Sequence, residues 1–129
     1  MPRVKRTTQR PRRTNEQRSA ETRGKLIKTA IDLLYRSGYS VTTTVMVAKR
    51  AKVSRGAMLH QFRTRVDLLA AVAEHVVAEQ QAYRQERLAT AGTGLKRFAA
   101  AADITWEVHC QPGAIALLEI MMATRSDPA

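Results

Sequence analysis

Cysteine is almost missing from this chain. Cys110 stands alone among 129 residues, so no internal disulfide can form and stability has to come from packing, which reads as an intracellular, cytoplasmic protein. No run of 18 or more apolar residues exists, which argues against a membrane span. The basic first residues lead into no apolar stretch of the kind a secretory signal needs. Catalytic groups are thin as well: His60, His75 and His109 are dispersed, and His109 and Cys110 are adjacent and so do not share a helical face. With no acidic pair beside them, neither an enzyme nor a metal or cofactor site is expected.

Acidic residues are scarce in one half only. Residues 1–65 hold 17 Lys or Arg against Glu16, Glu21 and Asp32, a net of +14, whereas residues 66–129 hold 5 basic and 8 acidic residues, a net of −3. Such a split suggests that one half faces a polyanion and the other does something else. A length of 129 residues allows one ordinary core, or one small domain plus part of another.

Residues 1–18 combine seven basic residues with Pro2, Pro11, Thr7, Thr8, Gln9, Thr14 and Asn15. Almost nothing there can be buried, so a disordered arm is expected. Beside a DNA-reading unit it would collect phosphates or enter the minor groove; otherwise it only solubilises. From Thr22 the pattern turns helical, with Leu26, Ile27, Ala30, Leu33 and Leu34 along one stripe. Ser19 or Thr22 is the expected cap, and Gly38 is placed to end the helix in a left-handed conformation, with Tyr39 packing just beyond.

Two short helices follow. Thr43 is the best cap for the first, with Val47, Ala48 and Ala51 on its buried side and Lys49 and Arg50 outward. Lys52 and Val53 make the break, and Ser54 caps the second, which runs to about Gln61. Helices this short must pack on the first helix, giving a three-helix unit. Phe62 is expected to close that unit. The second short helix is the candidate for entering a DNA major groove. Arg55, in its first turn, has the shape for bidentate contact with guanine, Gly56 permits close backbone approach, and His60 and Gln61 are within reach of phosphate and base edge. The competing roles are a cap only for Ser54, a solvated charge for Arg55 and an inter-helix hydrogen bond for His60.

The stretch from Thr22 to Leu69, TRGKLIKTAIDLLYRSGYSVTTTVMVAKRAKVSRGAMLHQFRTRVDLL, resembles the N-terminal domain of TetR-family transcriptional regulators. The resemblance covers the whole helix-turn-helix and the start of the fourth helix. It implies an all-α fold, with a tetracycline-repressor-like three-helix DNA-binding domain over 19–65 and a linker helix and incomplete helical regulatory or dimerisation domain over 66–129. It also implies that double-stranded DNA is the partner, bound by a homodimer or heterodimer at an operator, usually in repression. By position, Thr43 matches the phosphate-contacting cap, Ser54, Arg55, Gly56 and His60 match recognition-helix positions, and Arg65 matches the usual Lys that holds a phosphate. The chain departs from the pattern at four places. Leu59 replaces a common Tyr, Met46 replaces the acidic residue of a capping box, Lys52 replaces a turn Gly, and Arg63 replaces a frequent Pro.

Beyond the reader, Thr64 is the expected cap of a long helix from Arg65 to about Ala89, with Leu68, Leu69, Val72 and Val76 inward. A fifth helix is expected from about Leu95 to His109, and Pro112-Gly113 should separate it from a sixth, Ala114 to about Thr124. The sixth is too apolar to sit alone in water. Family members continue for several more helices, so a truncated chain is expected. The effector pocket is therefore left open: Trp106, Met121 and Met122 are expected in packing rather than around a small molecule. The rival function is a helical interaction module that pairs with, or interferes with, a related regulator.

Overall fold

The computed structural model describes residues 14–125. Among them the secondary structure is entirely helical: α1 (Asn15–Ser37), α2 (Thr44–Ala51), α3 (Arg55–Gln61), α4 (Arg65–Ala89), α5 (Gly94–His109) and α6 (Pro112–Arg125).

α1 starts earlier than the apolar stripe suggested. Thr14 accepts a hydrogen bond from the Gln17 amide while the Gln17 side chain accepts from the Thr14 amide. This reciprocal box satisfies two amides that would otherwise lack partners and extends the helix a full turn into the segment expected to be arm. Ser19 and Thr22 are consequently inside the helix and cap nothing; Thr22 Oγ1 donates to the Arg18 carbonyl at 2.9 Å. The rest of the expected arm, residues 1–13, lies outside the described residues.

Gly38 ends α1 as expected, but at φ +80° and ψ 178°, which is positive φ without the left-handed helical ψ. Its amide still donates to Leu34 O at 3.0 Å. The caps at Thr43, Ser54 and Thr64 fall where the sequence puts them, accepting from Met46, Ala57 and Asp67 amides at 3.2, 3.1 and 3.1 Å. Asp67 completes a reciprocal box for α4, whereas Met46 has no side-chain acceptor to complete one for α2.

One core joins α1, α2, α3, the first half of α4, and α6. Leu26, Ala30 and Leu34 from α1 meet Val47 and Ala51, Met58 and Phe62, Leu68 and Val72, and Ala116 and Ile120, all buried. Burial of each such aliphatic or aromatic side chain is worth roughly 1.5–3 kcal/mol. α4 is buried only as far as Val76; its outer half carries α5, through Tyr83 Oη donating to Glu107 Oε2 at 2.7 Å and an Arg87–Glu107 ion pair at 3.0 Å. The Glu107 hydrogen bond raises the Tyr83 pKa above its ordinary value.

α6 begins at Pro112, two residues before the expected start. Proline is tolerated at the first helical position because its missing N–H would have had no partner there. Gly113 lets this turn close on α4: a Cβ at that position would stand 3.3 Å from both methyls of Val76.

Lys52 is the only non-glycine residue with positive φ among the described residues, at φ 55° and ψ 43°. Side-chain crowding in that conformation costs about 1–2 kcal/mol for an L-residue. Lys52→Gly is therefore expected to raise the unfolding free energy by about 1 kcal/mol, read as a higher denaturant midpoint at unchanged slope; an unchanged or lower midpoint would contradict the strain.

Candidate nucleic-acid interface

α3 is held at an angle to α2 by three local devices. Lys52 reverses the chain, its amide donating to Ala48 O and Lys49 O, and the Val53 amide also reaches Ala48 O at 3.0 Å. Ser54 then caps the next helix. Met58 and Phe62 are buried below, which leaves Arg55, Gly56, Leu59 and His60 exposed. Leu59 is 45% exposed, so the position where an aromatic hydroxyl was the family expectation carries an aliphatic surface instead.

α2 presents Val45, Met46 and Lys49 outward, with Val45 69% exposed. Between α2 and α3 runs a groove of about 320 Å³ lined by Thr44, Val45, Lys49, Arg55 and Leu59. Its two cations flank apolar side chains, a combination suited to a phosphate on one side and a base edge or methyl group on the other. Arg55 makes no hydrogen bond or ion pair among the described residues, and neither does His60. Arg50 differs: it reaches Asp32 Oδ2 at 3.4 Å, while Arg36 meets Oδ1 of the same carboxylate at 2.5 Å. That hydrogen bond, with the carboxylate's charge, raises the Arg36 pKa.

Two of the sequence-nominated residues turn inward. Gln61 donates its amide to Ser19 Oγ at 2.7 Å and to Ser19 O at 3.2 Å, tying the end of α3 to α1. Arg23 reinforces this tie, its guanidinium 4.6 Å from the Phe62 ring centroid. Arg65 is half-buried, with its guanidinium 4.0 Å above the Tyr39 ring and Nη2 donating to Tyr39 O. Thr43 is half-buried and engaged as the α2 cap. The structure thus gathers Thr43, Ser54, Arg55, Gly56, Leu59 and His60 around the exposed side of α2 and α3, and uses Gln61 and Arg65 to fasten that side to the scaffold.

The sequence reading missed the α2 contribution of Val45 and Met46, although a short helix with Val47, Ala48 and Ala51 inward leaves those two outward by geometry. No group of three or more His, Cys, Asp or Glu able to hold a metal occurs among the described residues. His75 instead faces Glu79 at 3.2 Å, and His109 Nδ1 lies 2.7 Å from Thr105 O. No helix among the described residues is long and apolar enough to cross a membrane.

Residues 26–72 match the family model for bacterial regulatory proteins of the tetR family. The chain is also 31% identical, over 115 residues, to an uncharacterized HTH-type transcriptional regulator of Mycobacterium tuberculosis and to one of Mycobacterium bovis, covering 89% of this chain and 59% of each relative. It is 40% identical over 78 residues to the HTH-type transcriptional regulator CymR of Pseudomonas putida, covering 60% of this chain and 38% of that protein. The chain therefore spans 59% of the length of its mycobacterial relatives. The matched segment runs through both short helices, their caps and the buried start of α4, so it is in its N-terminal domain that this chain is similar to the tetR family.

Proposed function

We propose that this chain is a DNA-binding transcriptional regulator that reads operator DNA with α3, and that it acts as a repressor. The observation that carries the reading is the exposed end of α3, where Arg55, Gly56 and His60 project from a helix whose opposite side is buried. Arg55 reads a base edge, and Lys49, Lys52 and the cap region at Thr43 and Ser54 follow the phosphates. Repression requires nothing beyond occupancy of a promoter. Two copies would set two α3 helices about one DNA turn apart, the arrangement that gives a palindromic site its affinity.

Gly56 supports the same reading. A Cβ there would meet nothing within 4 Å inside the protein, so packing does not call for glycine, and glycine within a helix is roughly 1 kcal/mol less stable than alanine. Close approach by a duplex supplies the missing reason.

A second reading, a helical module that pairs with a related regulator, rests on the outer faces of α5 and α6. Leu95, Phe98 and Trp106 of α5 are 82%, 74% and 73% exposed, and Leu118, Met121 and Met122 of α6 are exposed as well. Salt separates the two readings: phosphate contacts release counterions and weaken steeply as salt rises, while apolar pairing persists.

Selection from a random duplex pool is expected to enrich a defined sequence with the wild-type protein. Arg55→Ala should then reduce discrimination between that duplex and a scrambled one by about tenfold or more, the worth of one bidentate base contact. Arg65→Ala should weaken both duplexes alike. If both variants bind as wild type at fixed moderate salt, the contact roles are wrong. Gly56→Ala is expected to raise the unfolding free energy by up to about 1 kcal/mol, read as a higher denaturant midpoint, while weakening duplex binding; tighter or unchanged binding would remove the close approach.

A further inference from the structure

The Tyr39 peptide, in the turn between α1 and α2, is held from three directions. Its amide donates to Glu119 Oε2 of α6 at 3.0 Å, across 80 residues of sequence. Its carbonyl accepts from the Thr42 amide at 3.1 Å, one residue before the α2 cap, and from Arg65 Nη2 at the first residue of α4. The Tyr39 ring lies beneath the same guanidinium. The carboxylate can come this close because residue 38 has no side chain: a Cβ on Gly38 would stand 3.3 Å from Glu119 Oε2.

Arg65 needs this support. Its Nε is buried without a hydrogen-bond partner among the described residues, an arrangement that costs free energy unless other contacts hold the guanidinium in place. Those contacts all come from Tyr39, and Tyr39 is held in turn by Glu119. An unbroken set of hydrogen bonds and one stacked pair therefore runs from α6, through the turn that leads into α2, to the end of α4 that adjoins α3. Thr42, buried with its hydroxyl donating to Gly38 O at 2.9 Å, stiffens the same turn.

We propose that Glu119 is a positioning residue for the DNA-reading unit: its carboxylate fixes the backbone of Tyr39, and through it Arg65 and the entry to α2. The proposal rests on the DNA-binding reading above for its consequence, but its structural half can be measured without DNA. The part that matters is the acceptor oxygen at position 119, and glutamine retains one while methionine, of similar length, does not.

The experiment compares Glu119→Met and Glu119→Gln in the full chain, with Glu119→Ala as a second acceptor-deficient variant. Without DNA, nitrogen–proton NMR is expected to show the Tyr39 amide and the Arg65 Nε–H signals displaced in the Met and Ala variants and close to wild type in the Gln variant. With the duplex selected by the wild-type protein, the Met and Ala variants should bind about tenfold more weakly, the effect of losing one hydrogen bond to a charged group, and Gln should restore most of that loss. On an Arg65→Ala background the Met substitution should cost little more, because the two residues act through the one residue Tyr39. Undisturbed Arg65 signals in both acceptor-deficient variants, or losses that multiply with Arg65→Ala, would overturn the proposal. A Gln variant as weak as Met would overturn it too. Should the wild-type protein select no duplex, the DNA reading fails, and the NMR comparison alone decides whether Glu119 governs Tyr39 and Arg65.

Discussion

Helices of eight and seven residues do not hold their shape alone in water, because the cost of nucleating each is not recovered over two turns. α2 and α3 exist because Val47, Ala51, Met58 and Phe62 are buried in one cluster with Leu26, Ala30 and Leu34 of α1, which Leu68 and Val72 of α4 also join. That burial fixes which residues remain outside. With Met58 and Phe62 pointing inward, His60 falls on the opposite side of the helix, and Arg55 is left exposed at its first turn. The chemistry of the exposed side is thus a consequence of the core, and the core extends to Ala116 and Ile120 of α6.

Charge follows the same division. The +14 of residues 1–65 is concentrated in and before the reader, while residues 66–129 carry −3. Part of the positive charge is spent internally: Arg36 and Arg50 share Asp32, Arg23 covers Phe62, and Arg65 covers Tyr39. Lys49, Lys52 and Arg55 stay exposed along α2, the turn and α3. Arg36 and Arg50 are exposed as well, but their charge is paired with Asp32, whereas that of Lys49, Lys52 and Arg55 is not paired within the described residues.

What could be read from sequence was mostly local. Thr43, Ser54 and Thr64 each precede a helix by one position and cap it through an amide three residues on, so the capping rule finds them without knowing the fold. The left-handed turn at Lys52 was visible only through the resemblance, which puts a turn glycine there. The start of α1 was legible too, in the Thr14–Gln17 spacing, but the apolar stripe beginning at Leu26 drew the boundary inward. Pro112 was read as a separator because proline stops helices more often than it starts them. Gln61, Arg65 and Glu119 were beyond reach: their partners lie 42, 26 and 80 residues away, and no periodicity encodes such pairings. A polar residue on α3 reads as a base contact until the fold shows Ser19 beside it.

The central claim is that the exposed side of α3 meets the duplex. Titrating isotope-labelled protein with a short duplex drawn from selection, and following backbone amide shifts, tests it most directly. The account expects the largest changes at Thr43 and from Ser54 through His60, with little at Leu95, Phe98 and Trp106 on α5. Changes concentrated on α5 and α6, with α3 undisturbed at saturating duplex, would contradict it.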